Sequence, residues 1–163
     1  MSKTLDESEE NQMTAQEQVA LNPDRIGVEQ ANLNFYQAMQ NLSIDMMDTV
    51  WLQADWVQCI HPNWETITGW EDIRAGWVNI FQNTHRMHIQ PSEVAIHTDN
   101  QFAWVTCVES IHTFAAGRMG ISFAQATNVF KHEGEDWKMV HHHASPLPRE
   151  VALSGTAAAP SLN

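Results

Sequence analysis

Three consecutive histidines, His141, His142 and His143, stand inside the stretch "WKMVHHHASPLPRE", Trp137 to Glu150. Imidazole changes charge close to neutral pH. Beside a carboxylate it can relay a proton, and two imidazoles with a carboxylate also suit zinc or iron. The run follows a strand pattern and more chain succeeds it, so it is not a terminal tag. Side chains alternate along a strand. Trp137, Met139, His141, His143 and Ser145 therefore share one face, and Lys138, Val140, His142 and Ala144 share the other. The triplet is a His-x-His pair on one side and a single histidine on the opposite side. Two further candidates lie upstream. Glu109 is an acid in the apolar run "QFAWVTCVESIHTF", and His61 precedes Pro62 at a chain break.

The surrounding pattern shows what must position these groups. Pro23 and Asp24 open a helical repeat in which Val28, Ala31, Phe35, Ala38, Met39 and Leu42 recur. Ser43 reads as the N-cap of a short helix, "IDMMDTVW". "DWVQCIH" and "WETIT", separated by Pro62–Asn63, read as strand, turn and strand. In "TGWEDIRAGWVNIF", Thr68 and Glu71 form a capping box ahead of an apolar stripe of Trp70, Ile73, Trp77 and Ile80. From His85 the period changes to two. "MHIQPSEVAIHT", "QFAWVTCVESIHTF", "GISFAQATNVFKH" and "DWKMVHHHA" read as four strands, with turns at Asp99–Asn100, Ala116–Gly117 and Gly134–Glu135. Pro91 inside its run implies a bulge or an edge. Helices first and an antiparallel meander last give an α+β fold.

The chain has 163 residues, enough for one domain, which the patterning places at residues 23–148. Residues 1–22, polar and with the acidic run "DESEE", read as a mobile arm, and residues 149–163 as a low-complexity tail. A formal net charge of −12 with no basic stripe argues against nucleic acid and anionic membranes as partners. Cys59 and Cys107 lie in apolar stretches. With no leader or spanning run recognised, they read as reduced thiols of a cytoplasmic protein. Seven tryptophans against one tyrosine suggest indoles in a core, an interface or a pocket. No nucleophile elbow, phosphate loop or dinucleotide fingerprint is present, so no cofactor is expected.

The stretches "CIHPNWETITGWEDIRAGWVNIF", "FAWVTCVES", "ATNVF" and "WKMVHHHASP" resemble the SnoaL-like branch of the nuclear-transport-factor-2-like superfamily, which includes ketosteroid isomerase. They match its His-Pro turn, Gly-led third helix, Ala-x-Val strand, Thr-Asn-Val strand and Trp-x-x-x-His-x-His-x-Ser last strand. The resemblance covers most of residues 23–148. It implies a cone-shaped roll, in which about three helices wrap a curved, mainly antiparallel sheet, a hollow inside the cone, and a homodimer. Functions on this fold range from isomerases, cyclases and dehydratases to assembly modules and ligand binders.

The apolar Trp137–Met139 end, together with the resemblance, assigns Trp137, Met139, His141 and His143 to the inner face. An even turn at Gly134–Glu135 would pair Asn128 with His141 and Ala126 with His143. Ala103, Val105, Cys107 and Glu109 would face inward on their own strand. The expected lining is His61, Glu109, Asn128, His141 and His143, walled by Trp51, Trp64, Trp77 and Trp137, and suited to a small, largely apolar molecule. His141 or Glu109 would carry the proton, in cofactor-free isomerase, cyclase or hydratase chemistry. His141→Ala should then matter more than His142→Ala. Trp104, Val108, Phe123, Val129 and Val140 would form an outer face covered by a second copy, with His142 in or near that interface.

Blander roles compete. The histidine array can simply satisfy buried hydrogen bonds, and Glu109 can pair with Arg74, Arg86 or Arg118. His61 can merely brace its turn. The array lacks a tight ligand signature and the resembled family is not generally metal-dependent, so no metal is expected. A non-catalytic dimeric assembly or carrier module is the main rival function.

Overall fold

The structure, a computed structural model, describes residues 22–148. The arm expected at residues 1–22, apart from Asn22, and the tail at 149–163 lie outside the described residues. Helix α1 spans Pro23–Gln40 and α2 spans Ile44–Val50. Asn22 caps α1, its Oδ1 accepting from the Asp24 amide at 2.9 Å. Ser43 caps α2 as its residue type predicts, through the Met46 amide at 3.2 Å. Strands β1 (Gln58–Ile60) and β2 (Ile67–Thr68) precede helix α3, Trp70–Gln82. Four long strands follow: β3 (Arg86–Asp99), β4 (Phe102–Ala115), β5 (Arg118–Glu133) and β6 (Asp136–Pro146).

The six strands form one curved sheet in the order β2-β1-β6-β5-β4-β3. All pairings are antiparallel except β1 with β6. The three helices pack on it in an α+β cone. Helix α1 lies against β3 and β6, and α3 closes over β1 and β2. Two-residue turns join the long strands, at Ala116–Gly117 and Gly134–Glu135 as the sequence places them and at Asn100–Gln101, one residue past the expected Asp99–Asn100, because Asp99 still pairs with Phe102. At Ala116 and Gly117, φ is 49° and 74°, the doubly left-handed geometry that suits the twist of a tight hairpin. Pro91 sits on the edge strand β3, next to a register break between Ser92 and Ala95, as a residue without an amide donor requires.

The expected capping box fails. Thr68 is engaged in the β2 ladder opposite Gln58, so Gly69 becomes the N-cap of α3, with φ 92° and no side-chain cap. The Gly69 and Trp70 amides instead donate to the Val57 and Ala54 carbonyls at 2.8 and 2.9 Å. Backbone from the preceding loop does what a threonine hydroxyl would have done.

The more consequential departure is in β6. From the Gly134–Glu135 turn the ladder runs evenly as far as Phe130 opposite Met139. The next pair is Val129 with His141. Val140 is an extra residue, a β-bulge, and beyond it every side chain changes face. The bulge is held from the other side. The Met139 carbonyl accepts from the Leu52 amide at 2.9 Å, where the chain at Trp51 bridges to β6. Asn128 therefore pairs with His142 rather than His141, and Ala126 with Ala144 rather than His143.

Candidate functional site

Because of the bulge, the expected inward set on β6 is half right. Trp137 and Met139 are buried, but His143 is exposed and His141 only partly covered. Their rings lie 6.3 Å apart and perpendicular on the outer side. His142, expected outside at an interface, is the buried one, and Val140, also expected outside, is buried too. On β4 the predicted inner residues Ala103, Val105, Cys107 and Glu109 are all buried.

A half-open hollow of about 220 Å³ lies between α3, the loop after β1 and the concave face of the sheet. Its polar lining is His61, Glu109, Ser122 and His142, and Trp77 and Trp64 supply aromatic wall and rim. Three sequence-expected residues, His61, Glu109 and Trp77, are brought together there, with Trp64 half-exposed at the edge. Trp51 and Trp137 are not walls of this hollow. Trp51 stacks on Trp70 at 6.1 Å. Trp137 stacks on His132 and covers Gly27, where a Cβ would come within 2.8 Å of the indole. Asn128 is wholly buried behind the lining and acts through hydrogen bonds.

Those hydrogen bonds form a connected set. The Asn128 amide nitrogen donates to Asn32 Oδ1 at 2.8 Å and to the Tyr36 hydroxyl at 3.2 Å. The Tyr36 hydroxyl donates to Glu109 Oε1 at 2.8 Å, which makes the Cys107 thiol, 3.1 Å away, a donor to the tyrosine oxygen. With both amide hydrogens used, Asn128 Oδ1 must accept, so His142 Nδ1 carries the proton of the 2.6 Å contact between them. His142 Nε2 is then an unprotonated acceptor. The ring packs at a tilt against Phe35 at 4.9 Å, with Trp77 and His61 each 6.4 Å away. His61 stands perpendicular to Trp77 at 4.6 Å and to Trp64 at 4.9 Å, with Cys59 Sγ 3.7 Å from its Nε2.

Burial sets the protonation states. Desolvation raises the Glu109 carboxyl from 4.5 to about 7, against the opposing pull of the Tyr36 hydrogen bond. Desolvation lowers His61 to about 4 and drives His142 well below 6.5, helped by neighbouring imidazoles. Desolvation, then Glu109, keeps Tyr36 a phenol. At neutral pH the site holds two uncharged imidazoles and one carboxyl poised between its forms. Glu109 binds its proton more firmly folded than unfolded, so it withdraws stability as pH rises from about 4.5 to 7. His61 and His142 act oppositely. Their contribution is present above about 6.5 and is lost as pH falls toward 4. Two imidazoles outweigh one carboxyl, so the thermal midpoint should rise to a maximum near about pH 6.5 and then decline slightly. A midpoint that climbs steadily through pH 8 would contradict the burial of Glu109.

The arginines proposed as partners of Glu109 do not pair with it. Arg74 pairs with Asp48 at 2.7 Å, and neither Arg86 nor Arg118 forms an ion pair among the described residues. No group of three or more metal-capable side chains occurs among the described residues. Sequence reasoning missed Tyr36 and Asn32. Tyr36 had one signal, as the chain's single tyrosine. Asn32 lies one turn before Tyr36 on α1, on the face that α1 buries.

The sequence profile of the SnoaL-like domain matches residues 28–150. The chain belongs to the SnoaL-like domain family. A nuclear-transport-factor-2-like protein from Streptomyces avermitilis, provisionally assigned as a dehydratase, is similar at 30% identity and TM-score 0.72, over 77% of this chain and 96% of that one. A protein from Thiobacillus denitrificans, provisionally assigned as a calcium/calmodulin-dependent protein kinase type II association domain, is 31% identical with TM-score 0.64, over 74% and 94%. The F-box protein SKIP8 of Arabidopsis thaliana is 27% identical over 116 residues, 71% of this chain and 48% of SKIP8. The chain thus spans about half the length of that curated relative. No described helix is long and apolar enough to cross a membrane.

Proposed function

We propose that this SnoaL-like domain binds a small, largely apolar molecule in the hollow of its cone, and that Glu109 exchanges a proton with it. The observation that carries this reading is the convergence of Glu109, His61 and His142 on one half-open, aromatic-walled hollow. At about 220 Å³ it is smaller than the usual pocket for a drug-sized ligand and suits only a very small molecule. Glu109, poised near pH 7, is the proton carrier, and no metal or organic cofactor is needed for such a step. His142 Nε2 and His61 orient the molecule, and Asn128 fixes the His142 tautomer. Isomerisation, cyclisation or loss or addition of water are the reaction types this supports. The similarity to a provisionally assigned dehydratase points the same way. His141 and His143 drop out of this proposal because they lie on the other face.

The protein's own partner in this reading is a second copy. On the outer face Trp104 is 43% exposed, Ile121 49% and Met119 77%, more apolar surface than a lone sheet usually leaves in water. The proposed location is the cytoplasm, with neither nucleic acid nor membrane as a partner.

A second reading, a non-catalytic assembly or carrier module, draws support from the same outer face and from the similarity to a provisionally assigned association domain. Native mass spectrometry of the purified full chain separates the two. A co-purified small molecule that is lost in Glu109→Gln or His142→Ala supports the first. A ligand-free oligomer whose hollow also takes up no added fragment supports the second.

A further inference from the structure

Glu109 is 1% exposed, yet no cation among the described residues pairs with it. Its described hydrogen-bond donor is the Tyr36 hydroxyl. The ion pairs among the described residues join Arg74 to Asp48, Lys131 to Glu133 and Lys138 to Asp136, and Arg25 is engaged with the Ile96 carbonyl. Among the described residues, no lysine or arginine lines the hollow. A buried carboxylate without a counter-ion is costly in any fold, and structural carboxylates are normally paired. Here the charge sits on the wall of a hollow that solutes can enter, beside indole rings, whose faces attract cations.

The remaining polar lining is also short of positive charge. His142 presents a lone pair at Nε2, because its proton is committed to Asn128. His61 and Ser122 each offer one donor and one acceptor. A carboxylate or phosphate head would meet like charge and few donors. A plain carbonyl could accept from His61 or Ser122 but would leave the Glu109 carboxylate without a counter-ion. An alkylammonium or arylalkylammonium head matches both acceptors, and the formal charge of −12 on the chain raises the local concentration of cations around it.

We infer that the molecule held in this hollow carries a small primary or secondary ammonium head, seated against the Glu109 carboxylate, with an apolar body against Trp77 and Trp64. This inference rests on the binding reading above and gives that molecule its head group. About 220 Å³ corresponds to roughly seven water volumes, so a single ring with a short aminoalkyl arm is the right scale. With such a cation in place, Glu109 stays ionised at neutral pH, which an empty hollow does not ensure.

Three probes of matched shape test it: benzylammonium, benzyl alcohol and benzoate, titrated into the full chain at pH 8 and followed by the indole N–H resonances in NMR spectra. Benzylammonium should bind at least about tenfold more tightly than benzyl alcohol, and benzoate should not bind. The preference should shrink as pH falls below about 7, where Glu109 takes up its proton. Glu109→Gln should equalise benzylammonium and benzyl alcohol while its melting transition stays cooperative. The pH series on the unaltered chain gives the same answer should that variant fold poorly. Benzyl alcohol or benzoate binding as well as benzylammonium overturns the ammonium head and leaves the binding hollow standing. Failure of all three to bind overturns both.

Discussion

His142→Ala should destabilise the fold by about 3 kcal/mol or more and abolish uptake of small molecules, whereas His141→Ala and His143→Ala should each stay within about 1 kcal/mol. His142 is 2% exposed and packs against Phe35 at 4.9 Å. Truncation opens a void there, and large-to-small changes at buried positions typically cost about 2–5 kcal/mol. It also removes the donor to Asn128 Oδ1, and an orphaned buried acceptor costs about 1–3 kcal/mol. Asn128 is tied to Tyr36 and through it to Glu109, so the disturbance reaches the acid. The outer pair is far less covered, His141 only partly, and has no comparable partner. His143 is exposed, and its described contact is with Ser145 at 3.4 Å. Urea denaturation of the three variants checks this. Equal losses for His141 and His142 would mean that the ladder runs without a bulge at Val140.

Glu109→Gln should do the reverse to stability. Glutamine keeps the shape and can still accept the Tyr36 hydroxyl, but it carries no charge to desolvate. The carboxyl is shifted from 4.5 to about 7, and each unit corresponds to about 1.4 kcal/mol. The variant should therefore gain up to about 3 kcal/mol at pH 8, and close to nothing at pH 4.5, where the native carboxyl already holds its proton. Proton exchange with a bound molecule and the preference for an ammonium head should both vanish. Melting curves at the two pH values, together with the probe titrations, read this out. A chain that becomes more stable as it loses its chemistry has been relieved of strain kept for function. Loss of stability at pH 8 would show instead that the carboxylate is held by favourable contacts.

Much of the frame was legible in the residues. The helical spacing of Val28, Phe35 and Met39 on α1, the serine cap of α2, the three tight turns to within one residue and the edge position of Pro91 all follow from local rules that need no partner. The alternation on β4 likewise put Glu109 on one face with Ala103, Val105 and Cys107, the face that the family resemblance makes the inner one, and all four are buried. Local signals failed where long-range bonds overrode them. Thr68 had the right neighbours for a cap, but its backbone was already committed to Gln58. Two adjacent apolar residues, Met139 and Val140, broke the alternation of β6. That is the trace a bulge leaves in sequence, but it does not say which of the two is extra.

The sequence by itself determined an α+β order of elements, an acid sharing one face of the fourth strand with Ala103, Val105 and Cys107, and a histidine at the turn before Pro62, because alternation and turn chemistry are properties of a few neighbouring residues. The cone and the inward sense of that face are what the resemblance to the SnoaL-like branch implies. Only the tertiary structure decided which of three consecutive histidines faces the hollow. That choice depends on one unpaired residue, Val140, stabilised by the Leu52 amide from a segment about ninety residues earlier. The tertiary structure likewise brought Tyr36 from the first helix against Glu109. A one-residue slip inverts every side chain beyond it, so no pattern within β6 could have fixed the answer.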